Sequence, residues 1–167
     1  DEYDAAAYMM TPCLHIPAGQ YLVSYDYNAL DVLPENMVVY IGTSSNPADW
    51  TVIEQHEDFV HTATANHVDY LFNNTEDGIY YVIAKAASQR GGMGMTFDNL
   101  SIKPAYTVTV NAGDHGTTNP TGVNYVVAGS DLTINILPEA GYHVASITVD
   151  GARMAIDEDN TATVYPF

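Results

Sequence analysis

The chain has 167 residues and a net charge of −17, from 21 Asp and Glu against 4 Lys and Arg. That balance excludes nucleic acid as a partner, because phosphate backbones are bound by Lys and Arg that neutralise them, and it disfavours an anionic membrane surface for the same reason. The 47% of hydrophobic residues suffices for one medium core or two small ones, and the absence of any run of about 18 apolar residues argues against membrane insertion by a helix.

Cys13 is the single cysteine, so no intrachain disulfide is possible. Between Pro12 and Leu14 it reads as a small buried thiol. Thirteen Tyr and very little Lys fit an exposed β protein. No basic region followed by an apolar run reads as a signal peptide, and the start at Asp1 reads as a trimmed or excised chain.

The first ten residues offer the only helical stretch, 4–10, and it is short. From there period-two alternation dominates. In 20–28, Tyr21, Val23, Tyr25 and Tyr27 face one way, and Leu22, Ser24 and Asp26 the other. Residues 37–41 form a dense apolar strand, stopped by Gly42-Thr43-Ser44-Ser45-Asn46-Pro47. One helical turn is predicted over 46–50, with Asn46 as N-cap and Pro47 at the first position. Further strands are predicted at 51–55, 67–72, 79–86 and 95–102, with a flexible loop over 87–94. Strands at this spacing without a long helix imply a sandwich.

Lys103-Pro104-Ala105 reads as a short linker, because Pro104 cannot donate to a ladder. Beyond it the logic repeats on a smaller scale. Tyr106, Val108 and Val110 alternate, then a Gly-rich turn spans 112–116. Leu132, Ile134 and Ile136 form the next strand, Pro138-Glu139-Ala140-Gly141 turns the chain, and Ala145, Ile147 and Val149 alternate again. Asp150-Gly151 predicts a two-residue hairpin, since a type I′ turn needs positive φ at both positions. A last strand is read at 161–167.

Two segments of the first part, TPCLHIPAGQYLVSYDY at 11–27 and MTFDNLSI at 95–102, resemble the cleaved-adhesin family, the jelly-roll domains of gingipain and haemagglutinin arrays of Bacteroidota, with their MAM-like relatives. The shared pattern is a Thr-Pro, an apolar strand, a Pro-x-Gly turn, an aromatic-rich strand and a closing strand with an acidic pair. Here that pair is Asp98-Asn99. The second part, through YTVTVNAGDHG at 106–116 and AGSDLTINILPEAGYHVASITVDG at 128–151, resembles the divergent internalin-type B repeat. The fold expected is therefore all-β: an incomplete jelly-roll β-sandwich over 1–104, then a small β-rich repeat module over 105–167. Both resemblances imply strands outside this stretch, before residue 9 and after 167. Open edges would then be available to a neighbouring chain.

Catalytic patterns fail on spacing. The histidines of His56-Glu57-Asp58-Phe59-Val60-His61 are five apart, whereas the zinc-protease helix needs four, and in a strand they would point to opposite faces. Cys13 with His15 could share a face, but a thiol nucleophile also needs an orienting group. No Ser sits in a Gly-x-Ser-x-Gly elbow, and Arg90-Gly91-Gly92-Met93-Gly94 opens no helix to cradle phosphate. No pair of acids can be placed across a cleft from sequence. Asp157-Glu158-Asp159-Asn160 lacks the glycine and closing Glu of an EF-hand and reads as a solvated turn.

Two sites remain. The jelly-roll resemblance implies a structural Ca²⁺ at Asp98, helped by Glu2 and Asp4. Trp50, beside a turn, is the candidate surface platform for a sugar ring. The function expected is a non-catalytic adhesion or binding segment of a larger secreted or cell-surface bacterial protein, recognising host protein or glycan. The alternatives are an accessory carbohydrate-binding module of a hydrolase and a stalk subunit that self-associates through open strand edges.

Overall fold

The computed structural model describes residues 7–87, 93–154 and 161–164. The chain divides into two compact units, Asp1–Lys103 and Pro104–Phe167.

In the first unit β1 (Ala7–Met10), β2 (Leu14–Ile16), β4 (Glu35–Gly42), β5 (Trp50–Phe59) and β7 (Gly78–Ala86) make one sheet, in the order β1-β7-β4-β5 with β2 also on β7. The second sheet holds β3 (Gly19–Ala29) between β6 (Asn66–Asn74) and β8 (Met95–Val110). The core lies between the sheets. Tyr21, Val23 and Tyr25 of β3 meet Met37, Val39 and Ile41 of β4, Ile53 of β5, and Tyr80, Val82 and Ala84 of β7. The sandwich follows from alternation, because each strand commits one face to this layer.

The predicted helix over 4–10 does not form where the structure describes it. Residues 7–10 are strand β1, paired antiparallel with β7 from Ala7↔Ala86 to Met10↔Ile83. The free edge of β7 offers a ladder of hydrogen bonds that outweighs the local preference of three alanines. The edge is then interrupted. Pro12 has no N–H, and beside it Thr11 bridges the gap: its Oγ1 accepts the Val82 N–H at 3.1 Å while its own N–H donates to the Val82 carbonyl at 3.0 Å. Pairing resumes at Leu14↔Tyr80. Cys13, expected buried, is exposed in this interruption.

The turn predicted over 46–50 is a 3-10 turn, Pro47–Asp49, capped by Asn46 Oδ1 accepting from Ala48 N–H at 3.2 Å. Lys103-Pro104-Ala105, expected as a linker, lies inside β8. Pro104 needs no ladder donor there, and its carbonyl accepts from Ala128 N–H at 2.8 Å.

In the second unit the end of β8 pairs with β10 (Gly122–Val127), from Val110↔Gly122 to Ala105↔Val127. A three-stranded sheet runs β14-β11-β9, with β9 Gly116–Asn119, β11 Leu132–Pro138 and β14 Thr161–Val164. The hairpin predicted at Asp150-Gly151 joins β12 (Ile147–Val149) to β13 (Ala152–Met154). Its φ angles are 48° and 79°, the double positive value of a type I′ turn. The core of this unit is small: Val110 and Ile134, with Val108, Leu132, Ile136 and Val149 packed partly buried around them.

Candidate binding site

The outer face of the first sheet carries a cluster of aromatic rings. Trp50 starts β5 directly opposite Gly42 of β4. A Cβ at Gly42 would sit 2.5 Å from Trp50 Cδ1, so glycine is required for the indole to lie where it does. The indole Nε1–H donates to the Ser44 carbonyl at 3.0 Å, which fixes the ring. Tyr8 from β1 meets it edge-on at 5.6 Å, and Tyr40 from β4 lies tilted at 5.6 Å. Lys85, one of four basic residues in the chain, holds its ammonium 5.9 Å from the Tyr8 centroid. Ser44 Oγ donates to Asp49 Oδ2 at 2.6 Å beside the indole. Trp50 is half-buried and Tyr8 is 53% exposed. The arrangement offers ring faces and edges for apolar stacking, with a carboxylate and an ammonium near for hydroxyl groups. Sequence reasoning found Trp50 from its place beside a turn. It missed Tyr8, which was read as helical, and Tyr40, which was read simply as part of an apolar strand.

The outer face of the second sheet holds a polar network. His67 of β6 lies between two carboxylates, with Nδ1 2.5 Å from Asp26 Oδ1 and Nε2 3.3 Å from Asp69 Oδ1. Asp26 also accepts from Asn99 Nδ2, and Asp69 accepts from Ser24 Oγ, both at 2.6 Å. The Asn99 hydrogen bond, then His67, holds the Asp26 carboxyl below its ordinary range. The hydrogen bond from Asp26 leads the causes that raise His67 above the usual imidazole value. Ser24 faces a carboxylate here and not the imidazole, so the group is no nucleophilic triad.

His56 behaves differently. It is buried on the core side, hydrogen-bonded through Nε2 to Tyr25 Oη at 2.8 Å and stacked on Tyr27 at 4.0 Å. Burial lowers its pKa, against a smaller opposing pull from Glu54. Burial, with Glu54 nearby, raises those of Tyr25 and Tyr27. His61 lies elsewhere, with Nδ1 3.0 Å from the Ala29 carbonyl.

The metal expectation finds little support at its own residue. Asp98 is exposed, and its Oδ1 accepts the N–H of Asn99, a residue at φ 53°. Glu2 and Asp4 lie outside the described residues. Among the described residues no three His, Cys, Asp or Glu side chains converge to hold an ion. His15 forms a surface pair with Asp77 at 2.7 Å and does not engage Cys13.

Residues 106–166 match the divergent InlB B-repeat domain. The match begins at Tyr106, within the last five residues of β8, and takes in every later strand of the unit. It does not extend to the sandwich. B-repeats of this family are associated with bacterial surface proteins. No curated protein matches the chain. Among the described residues no helix is long and apolar enough to cross a membrane.

Proposed function

We propose that the chain is a non-catalytic extracellular segment of a bacterial surface protein, and that its sandwich binds a glycan or a glycosylated host protein. The B-repeat match over 106–166 carries the surface-protein part of this reading. The ring cluster of Tyr8, Tyr40 and Trp50 supports the binding part, because sugar rings stack their C–H faces on aromatic side chains. The net charge of −17 favours an uncharged glycan over a polyanionic one. The same surface would serve an accessory carbohydrate-binding module of a hydrolase. Within this reading a structural Ca²⁺ belongs to the sandwich.

Trp50 is the only tryptophan, so its fluorescence reports directly on the platform. A glycan array followed by fluorescence titration tests the reading. Binding that quenches Trp50 emission and disappears in Trp50→Ala supports it. Array binding retained in full by Trp50→Ala moves the site away from the platform.

A second reading, self-association through strand edges, is favoured by β5, a ten-residue strand at the end of its sheet. Light scattering that grows with protein concentration supports that role, and a monomer at high concentration removes it.

A further inference from the structure

Aliphatic side chains crowd one end of the sandwich, on loops that are firmly braced. Val32 is 81% and Met93 73% exposed, and Leu30, Leu33 and Val60 are exposed as well. They come from three places in the chain: the β3–β4 connection, the residues after β5 and the residues before β8. Asp31 ties the three together. Its Oδ1 accepts the Leu33 N–H at 2.9 Å, its Oδ2 the Met93 N–H at 3.1 Å, and its carbonyl the His61 N–H at 2.8 Å. The Leu30 N–H donates to the Gly94 carbonyl at 2.9 Å, and the Gly94 N–H to Oε1 of buried Glu35 at 3.0 Å. Asn28 Oδ1 accepts the Thr62 N–H at 3.0 Å, and its Nδ2 donates to the Thr62 carbonyl at 2.8 Å. This bracing is made by main chain, Asp31, Glu35 and Asn28. It uses none of the five aliphatic side chains, which are left facing water.

Apolar side chains gathered on a water-facing surface mark contact sites, and loops already fixed in place lose little freedom when a partner arrives. Three occupants fit this end poorly. A sugar ring stacks on aromatic faces, and the five side chains are all aliphatic. Contacts with a lipid interface combine Trp or Phe with Lys and Arg, and the described residues of the three loops include no Phe, Tyr, Trp, Lys or Arg. A second copy would bring its own charge of −17 and set like acids face to face. Those acids are Glu57 and Asp58, exposed on β5 just before Val60. The Asp58 N–H donates to Asn36 Oδ1 at 2.7 Å, which holds this corner against the start of β4. Protein interfaces join an apolar centre to a polar rim, and here the rim is acidic. We propose that this end of the sandwich docks a protein segment whose apolar centre is flanked by Lys or Arg. Val32 and Met93 make the central contact, while Glu57 and Asp58 meet the flanking cations and speed encounter. The surface uses no residue of the ring cluster, so it stands or falls independently of the glycan reading.

The test selects a random peptide library on the full chain and titrates the enriched peptides by fluorescence anisotropy. The proteins compared are the wild type, Val32→Ser/Met93→Ser, Glu57→Gln/Asp58→Asn and Trp50→Ala. Expected are peptides with an apolar centre and Lys or Arg on its flanks. Val32→Ser/Met93→Ser weakens them about tenfold or more. Glu57→Gln/Asp58→Asn weakens them about threefold and flattens the salt dependence, and Trp50→Ala binds them as the wild type does. Should Val32→Ser/Met93→Ser fail to fold, Glu57→Lys/Asp58→Lys decides, because selection on it turns to acidic flanks. The proposal is overturned if the enriched peptides carry no basic excess, or if Val32→Ser/Met93→Ser binds them at full strength. It is also overturned if sedimentation shows a wild-type dimer that Val32→Ser/Met93→Ser dissolves, which makes a second copy the occupant. Flotation of the wild type with phosphatidylcholine vesicles, lost in the same variant, overturns it in favour of lipid.

Discussion

The two units of this chain are built on the same alternation and differ in what they bury. The sandwich closes two sheets over a layer in which Val23, Tyr25, Val39 and Met37 are at most 1% exposed. Among its described residues the second unit buries Ala105, Val110 and Ile134 below a tenth, and only Val110 and Ile134 form its core cluster. Its order rests more on ladders and turns, such as the Asp150-Gly151 hairpin, than on a filled interior. Small bodies bury a smaller share of their unfolded surface, and each remaining core residue then matters more. Similar strand content thus goes with unequal buried cores.

The largest effects should come from the cores. Met37→Ala removes a fully buried side chain and should cost about 2–5 kcal/mol in the sandwich. Ile134→Ala should cost about 2–4 kcal/mol, enough to unfold the B-repeat unit while the sandwich persists. Denaturant unfolding followed by near-UV and far-UV circular dichroism checks this. A single shared transition, moved equally by both substitutions, would break the comparison.

Next comes Gly42→Ala. Its Cβ would meet the Trp50 indole at 2.5 Å, and overpacking of that kind costs about 1–3 kcal/mol. The expected signature is a shifted Trp50 emission maximum and a lower melting point for the sandwich. In the other unit Gly151→Ala, at φ 79°, should cost about 1 kcal/mol and move only the B-repeat transition. Proton exchange at the hairpin amides reads it out.

The smallest effects concern pH, and two histidines of the sandwich pull in opposite directions. His56 has a lowered folded pKa. Its contribution is full above the unfolded value near 6.5 and is lost as pH falls from there through the folded value. His67 has a raised folded pKa. Its contribution is full below about 6.5 and fades as pH rises through the raised value. His67 is mostly exposed, so solvent screens its share. Melts across this range should show His67→Gln losing stability on the acid side only. His56→Gln should flatten the acid loss of the wild type. Identical pH profiles for both variants would contradict the assignment of His56 to the core.

The parts of the fold legible in the sequence were those where alternation carried apolar residues. β3 sits where Tyr and Val recur every second position, β4 and β7 in dense apolar runs, and the start of β8 where Met95, Phe97, Leu100 and Ile102 fall close together. β9, Gly-Thr-Thr-Asn, has no apolar signal and forms because Pro138 to Asn135 of β11 offer it a partner. β1 was hidden by alanines that favour a helix locally. Trp50 was legible, but its companions Tyr8 and Tyr40 are brought to it by sheet order, which no local pattern encodes. His56 stands in the polar run His56-Glu57-Asp58 and is nonetheless buried, with Tyr25 giving its ring a partner. Glu35 lies outside the strand predicted at 37–41, yet the same alternation taken back by twos from Ile41, Val39 and Met37 lands on it, on the core side of β4.

The break at Pro12 has a consequence for how neighbouring chains meet this one. Along that edge the sheet ends in two clasps of four and three residues, with a threonine hydroxyl occupying the position of a ladder partner between them. An incoming strand finds no continuous row of amides to follow there, so growth into fibres is blocked at that side by covalent chemistry rather than by charge. The clasps can also open one at a time. β1, with Tyr8, can peel away while β2 keeps the core shut, so a ring of the aromatic platform can adjust to an occupant at little risk to the sandwich beneath it.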